Sequence, residues 1–153
     1  MDFTLSPEID SVRREIRAYV TERLIPLESD PASYDDHENI NEDLLETIRA
    51  ETKSKGLWSL SMPVERGGRG FNTVGMAACY EEMNRSIFGP VCFNAAAPDD
   101  GNMFLLNRVA TEEQKAKWLQ PIIDGKVRSS IVMTEPAPGS GSDPAGMMQT
   151  TAT

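Results

Sequence analysis

Histidine and cysteine are scarce in this sequence of 153 residues. The one histidine, His37, lies in an acidic stretch, and a lone histidine without cysteines at ligand spacing predicts no metal site. No nucleophile is paired with it, so no Ser-His-Asp or Cys-His arrangement is present. Cys79 and Cys92 lie in apolar stretches and are too few for a disulfide scaffold. We expect them to be buried free thiols in a reducing compartment.

Basic residues are also in deficit. The chain has 15 Lys and Arg against 24 Asp and Glu, a formal net charge of -9, which argues against a nucleic-acid-binding surface. No window is apolar for the length of a membrane span, and residues 1–4 do not open like a signal peptide. The sequence therefore predicts a soluble intracellular protein, cytoplasmic if its source is bacterial, with no nucleic-acid partner and no membrane span.

Helical patterns fill most of the chain. Ser6 can cap a first helix and Pro7 suits its first position, after which apolar residues recur at steps of three and four. Pro26 is expected to end or kink this helix. A second helix is predicted from Asn41 to the stop at Gly56, and Thr73 is the predicted cap of a third.

Four further features have ordinary structural interpretations. Residues 67–70, Gly-Gly-Arg-Gly, lack the spacing of a phosphate-binding loop and predict a turn between helices. Residues 89–90, Gly-Pro, are expected to break the helical pattern. Residues 111–114 form a capping box that opens a helix running to about Pro121. Most methionines, and Trp118 as a helix anchor, are expected to pack in the core.

The pattern changes after residue 126. Val127 to Met133 predicts a buried strand, whereas everything before it is helical. The predicted fold is therefore mainly α, with a helical domain over residues 1–126 and the first strand and loop of an incomplete β domain over residues 127–153. A lone strand leaves its backbone groups unpaired, so truncation is the simplest explanation.

Residues 139–143, Gly-Ser-Gly-Ser-Asp, follow that predicted strand. They can be a flexible linker, because glycine and serine dominate. They can equally be a ligand loop, because small residues leave backbone N–H groups open to an anion or a polar ring edge. The residues alone leave both interpretations open.

At this loop the sequence resembles the acyl-CoA dehydrogenase family. The most specific match is Met-Thr-Glu-Pro at 133–136 followed by Gly-Ser-Asp at 141–143, and weaker matches cover residues 58–70, 92–103 and 111–125. The resemblance extends over essentially the entire chain. Its segment 92–103 is similar to a subgroup linked to longer or branched acyl chains.

The resemblance implies a helical domain, a middle β domain and a C-terminal four-helix domain. It implies FAD as cofactor, an acyl-CoA as substrate, α,β-dehydrogenation within fatty-acid or related acyl-CoA catabolism, and electron transfer to a flavoprotein acceptor. The full-length form is expected to be a homo-oligomer. The family's catalytic base lies in the C-terminal domain, so no catalytic residue is assigned here, and this chain alone is expected to be inactive.

Site residues follow from motif position. Met133 and Thr134 would lie at the pyrimidine side of the flavin, and Gly141 and Ser142 would contact FAD phosphate, with Ser142 also near the pantetheine arm of the substrate. Residues 95–97 (Ala95, Ala96 and Ala97) would line the floor of the acyl pocket. The loop has two more residues between Glu135 and Gly141 than the commonest family form, which leaves the contacts of residues 137–140 open.

Beside this first hypothesis, two others stay open. The second is another flavoprotein on the same scaffold, an acyl-CoA oxidase or a flavin monooxygenase. The third hypothesis is a non-catalytic helical module that binds a partner through an exposed apolar face.

Overall fold

A computed structural model of the chain describes residues 4–136, 146 and 148–151. The mainly α prediction is confirmed by seven α-helices in this part of the chain, α1 (Pro7–Tyr19), α2 (Glu42–Ser54), α3 (Thr73–Met83), α4 (Gly89–Cys92), α5 (Asp99–Val109), α6 (Glu112–Gln114) and α7 (Gln120–Ile123). π-helical turns at Val20–Leu24 and Lys115–Leu119 extend α1 and join α6 to α7. Short 3-10 segments lie at Ile25–Ser29, Pro31–Ser33 and Val64–Arg66.

The helix ends follow local chemistry. The Ser6 hydroxyl accepts a hydrogen bond from the Ile9 backbone N–H, and both bonds of the capping box at residues 111–114 are present, as predicted. The third helix is capped one residue earlier than predicted. Asn72, not Thr73, accepts from the backbone N–H of Gly75 at 2.9 Å, since asparagine in an extended conformation is the stronger N-cap.

Of the two predictions that rest on proline, the one at Pro26 is confirmed and the one at residues 89–90 is not. The π-helical extension of α1 ends at Leu24, just before Pro26, as predicted. The break predicted at residues 89–90 is wrong, because Gly89 and Pro90 open α4. Proline is tolerated there because the N–H groups of a first helical turn have no partner within the helix.

The predicted buried strand over Val127 to Met133 is wrong. Residues 127–135 carry no strand, and the exposed fractions of Ile131, Val132 and Met133 are 65%, 86% and 45%. The physical reason is the absence of a ladder partner, since no other strand lies in the described residues. The apolar run predicted a strand but did not show whether a second strand is present to pair with it.

The core has two parts. The larger lies among α1, α2, α3 and α4 and includes Ile16, Leu24, Ile48 and Phe93. The smaller, around Met103, is built from α5, α7 and the turns beside them. As predicted, Met76, Met83 and Met103 are buried, whereas Met133 and Met148 are exposed.

Asn94 joins the two parts. Its side chain is buried and donates to the hydroxyl of Ser59 at 2.8 Å and to the carbonyl oxygen of Ile122 at 3.0 Å. Its φ of 57° lies in the left-handed region, which asparagine tolerates better than most residues. Nearby, the indole N–H of Trp58 donates to the carbonyl of Ile123 at 2.6 Å, so residues far apart in sequence are tied together.

Charge also ties α1 to α3. The fully buried carboxylate of Glu82 accepts from Arg13 at 3.0 Å and from Arg17 at 2.9 Å. The hydrogen bond from Arg17, against the opposing effect of burial, holds the pKa of Glu82 below its ordinary value.

The turn predicted at residues 67–70 connects α2 to α3 and is confirmed. A Cβ atom at Gly68 would lie 2.0 Å from the carbonyl oxygen of Met62, so the close backbone approach requires glycine.

Candidate functional site

The residues predicted to line the acyl pocket lie along an open groove. Ala95 and Ala96 are partly buried and Ala97 is exposed, and the groove of about 440 Å³ runs between them and α3. Tyr80 and Asn84 border it on the α3 side, and Asp100 from the first turn of α5 borders it on the other. Because alanine side chains are small, the groove has room for an aliphatic chain.

One side of this groove is polar, which the sequence did not predict. Asp100 is partly buried, and its carboxylate accepts hydrogen bonds from the Tyr80 hydroxyl and from the Ser61 hydroxyl at 3.1 Å. Burial, with the hydrogen bond to Asp100, raises the pKa of Tyr80 well above its ordinary value, so Tyr80 stays a hydrogen-bond donor at neutral pH. Asp100 is the one charged residue among those lining the groove, all of which are described.

The neighbouring acid, Asp99, has a different task. Asp99 is buried, with 4% of the residue exposed. Its carboxylate accepts hydrogen bonds from the backbone N–H of Ser129 at 2.6 Å, from the Ser129 hydroxyl at 2.7 Å and from Arg128 at 3.1 Å. Burial acts to raise the pKa of Asp99, but the bonds from Ser129 and Arg128 outweigh it and the pKa lies below its ordinary value. Asn102 adds a bond to the Ser129 hydroxyl at 2.9 Å. These contacts hold the segment that leads toward Met133.

The predicted flavin contacts are only partly described. Met133 and Thr134 are exposed, and their backbone N–H groups form no hydrogen bond with other described residues. Gly141 and Ser142 lie outside the described residues. Met133 and Thr134 lie on exposed backbone outside any helix, which leaves room beside them for the edge of a flavin ring.

Glu135 brings the segments on either side of the predicted loop together. Its carboxylate accepts from the backbone N–H of Gln149 at 2.5 Å and from that of Thr150 at 2.9 Å. Residues 133–136 and 148–151 therefore meet at the base of the predicted ligand loop.

An apolar surface lies beside this exit segment. Leu105 of α5, Trp118 and Val127 line a depression of about 540 Å³. Trp118 is 48% exposed, so the prediction that it is a packed helix anchor is wrong. The buried indole is that of Trp58. Phe104 and Val109, also on α5, are exposed as well. This is the exposed apolar face expected by the non-catalytic hypothesis, and it is equally what an adjoining domain would cover.

Other reactive groups lie elsewhere. Cys79 and Cys92 are buried free thiols, as predicted, and burial raises their pKa values to about 11 and about 12. His37 is exposed in its acidic loop. The described residues contain no group of three or more metal-ligating side chains, and none of their helices is long and apolar enough to cross a membrane.

Known proteins are similar to this chain over the helical part of the fold. The family model "Acyl-CoA dehydrogenase, N-terminal domain" matches residues 6–126. The fold thus defines an acyl-CoA dehydrogenase-type helical domain. The chain belongs to the acyl-CoA dehydrogenase family.

Curated relatives are much longer than this chain. It is 36% identical over 141 residues to mouse "Acyl-CoA dehydrogenase family member 10", with 86% of this chain and 13% of that protein covered. It is 34% identical over 148 residues to "Probable acyl-CoA dehydrogenase FadE2" of Mycobacterium tuberculosis, with 92% and 35% covered. The chain therefore spans about a third or less of these relatives.

Solved structures agree with the fold. One, described as "a putative acyl-CoA dehydrogenase from Mycobacterium abscessus", aligns with a TM-score of 0.77 at 30% identity and covers 88% of this chain and 36% of that one. The glutaryl-CoA dehydrogenase of Mycobacterium smegmatis aligns with a TM-score of 0.67 at 25% identity, covering 94% and 35%.

Proposed function

We propose that this chain is the N-terminal helical domain of an FAD-dependent acyl-CoA dehydrogenase, which removes the α and β hydrogens of an acyl-CoA thioester. The observation that carries the proposal is the groove beside Ala95–Ala97 in a domain of this family. The family match that ends at residue 126 supports a domain boundary at 126/127, after which a β domain begins.

Each residue of the proposed site has a task in this proposal. Ala95, Ala96 and Ala97 leave space for the acyl chain and exclude water from it. Met133 and Thr134 present backbone hydrogen bonds to the flavin edge, while Gly141 and Ser142 hold the phosphate and pantetheine groups. Bound FAD supplies the acceptor for the electrons released by dehydrogenation. Backbone donors at the ring favour the negative charge of the reduced cofactor.

No base for the α-proton is proposed among these residues. The one acid in the groove, Asp100, accepts hydrogen bonds from Tyr80 and Ser61, and no other charged residue lies among the described residues that line the groove. We therefore expect the 153 residues alone to show no turnover with FAD, an acyl-CoA and an electron-accepting dye. Steady dye reduction would contradict this. Electron transfer to a flavoprotein, homo-oligomer formation and an intracellular, bacterial-cytoplasmic location belong to the same proposal for the longer protein.

A chimera tests the function directly. Residues 1–126 of this chain would replace the matching helical domain of the Mycobacterium abscessus protein, with the unaltered protein assayed beside it on a series of acyl-CoAs. We expect the chimera to keep the absorbance of bound flavin and to reduce dye with acyl-CoA. The matched control is Ala96→Trp in the chimera, which should keep the flavin and lose turnover because the groove is filled. A chimera that binds flavin but oxidises no acyl-CoA accepted by the unaltered protein would refute the proposal.

The apolar face around Trp118 supports an adjoining domain in this proposal. The same face favours the non-catalytic module as a second candidate. The chimera separates the two, because a module that only binds a partner gives no acyl-CoA oxidation.

A further inference from the structure

The groove proposed to hold the acyl chain has one polar side, which Asp100 forms. A straight aliphatic chain needs only an apolar surface, and the three alanines supply it. Asp100 adds a carboxylate to the same groove, and burying a charge against a hydrocarbon costs free energy unless a donor meets it. The Asp100 carboxylate therefore indicates that the part of a ligand lying beside it carries a hydrogen-bond donor.

The carboxylate has room for a further hydrogen bond. The Tyr80 hydroxyl donates to one oxygen and the Ser61 hydroxyl to the other. A carboxylate offers about four acceptor positions, so about two stay open. Asp99, by contrast, is used by Ser129 and Arg128. Both described partners of Asp100 are neutral hydroxyls, and no ion pair among the described residues compensates its charge.

We propose that Asp100, positioned by Tyr80 and Ser61, selects acyl-CoA substrates that carry a hydroxyl group on the part of the acyl chain distal to the thioester, and disfavours those that end in a carboxylate. The substrate hydroxyl donates to an open position of the Asp100 carboxylate. A terminal carboxylate has no proton to donate and is repelled by the like charge. This inference rests on the proposed function, because it assumes that the groove beside Ala95–Ala97 holds the acyl chain.

The selectivity separates this chain from one of its structural neighbours. Glutaryl-CoA, the substrate named for the Mycobacterium smegmatis neighbour, ends in a carboxylate. With Asp100 as the only charge in the groove, this chain is not suited to such an acyl group, despite the shared fold.

Three thioesters that differ only at the last carbon test the proposal. Hexanoyl-CoA, 6-hydroxyhexanoyl-CoA and adipoyl-CoA are titrated into the ¹⁵N-labelled 153-residue chain, with the amide signals of residues 95–97 and 101 as reporters. A hydrogen bond to a charged acceptor predicts an apparent Kd about tenfold lower for the hydroxylated ligand than for hexanoyl-CoA. Adipoyl-CoA should bind more weakly than hexanoyl-CoA, by a factor that shrinks as salt is raised.

Two variants identify the group responsible. Asp100→Asn removes the charge but keeps the shape, and we expect the three affinities to converge to within about threefold because the neutral amide oxygen is the weaker acceptor. The matched control is Glu81→Gln, which removes a charge from an exposed position of α3 outside the groove and should leave the ranking unchanged.

The outcomes separate this inference from the proposed function. If all three ligands shift the groove signals but hexanoyl-CoA binds as tightly as its hydroxylated analogue, the selectivity is wrong and the acyl groove stands. If none shifts those signals, the placement of the acyl chain in this groove is wrong, and the inference fails with it. The ranking in the unaltered chain decides even if Asp100→Asn does not fold.

Discussion

The side-chain amide of Asn94 links the two parts of the core, and its removal gives the sharpest stability prediction. In Asn94→Ala, the Ser59 hydroxyl can turn to another partner, and the carbonyl oxygen of Ile122 still accepts from the backbone N–H of Gly125 at 2.9 Å. The lost hydrogen bonds should therefore lower the free energy of unfolding by about 1–2 kcal/mol. This is near the lower end of the cost of leaving a buried polar group without a partner. Alanine in the left-handed region adds about 1 kcal/mol. The free energy of unfolding should fall by about 2–3 kcal/mol.

A second variant isolates the donor. Asn94→Asp keeps the shape and the tolerance for positive φ but replaces the N–H donor with a carboxylate facing a carbonyl oxygen. At pH 7 we expect it to destabilise at least as much as Asn94→Ala, because the buried charge is unpaired. Its folded-state pKa would be raised, so the deficit relative to the unaltered chain should shrink as pH falls and the carboxyl regains a proton to donate.

Urea unfolding followed by tryptophan fluorescence measures both variants, since Trp58 is buried beside this link. For a chain of this size each kcal/mol corresponds to about 2–4 °C in Tm, so Asn94→Ala should melt roughly 4–12 °C lower. An Asn94→Asp variant as stable as the unaltered chain at pH 7, or a deficit that does not change with pH, would refute the role of the amide donor.

Three further predictions concern stability and reactivity. Because its folded-state pKa is lowered, ionised Glu82 stabilises the fold above the ordinary pKa of 4.5, and this stabilisation is lost as pH falls through the lowered value. In Glu82→Gln the stability should therefore fall less between pH 7 and pH 3 than in the unaltered chain, measured as urea midpoints. With thiol pKa values of about 11 and about 12, Cys79 and Cys92 should not react with a thiol reagent at pH 8 until urea unfolds the chain, and a fast reaction in the native state would show that burial does not protect them. Gly68→Ala should lower Tm sharply in circular dichroism because its Cβ meets backbone, whereas Gly101→Ala, whose Cβ meets nothing within 4 Å, is the control that should not.

Local chemistry was predictable from the sequence where it depends on neighbours. The capping box at residues 111–114 and the cap that Ser6 forms with Ile9 each join residues three positions apart, so the local pattern predicts the contact itself. Where two adjacent residues can both cap, as at Asn72 and Thr73, the pattern gives the helix but not its first residue.

Contacts across the chain were not predictable in this way. Both tryptophans have large apolar side chains, yet Trp58 is 7% exposed and Trp118 48%. What differs is the partner, since the indole of Trp58 reaches the carbonyl of Ile123, 65 positions away. The strand predicted at Val127 to Met133 was wrong for a related reason, since an apolar run does not show whether a second strand is present to pair with it.

In the candidate site, two adjacent acids of one helical turn contact different partners and serve different purposes. Consecutive residues of an α-helix point about 100° apart, so Asp99 and Asp100 cannot face the same neighbour. Asp99 turns toward Arg128 and Ser129 and fixes the direction in which the chain leaves the helices. Asp100 turns toward Tyr80 and gives the groove beside residues 95–97 its polar side. Read as sequence, the pair is only the acidic start of a helix, favoured by the helix dipole. In the fold, the rotation between them makes the first turn of α5 set both the polarity of the groove and the path toward the proposed flavin contacts.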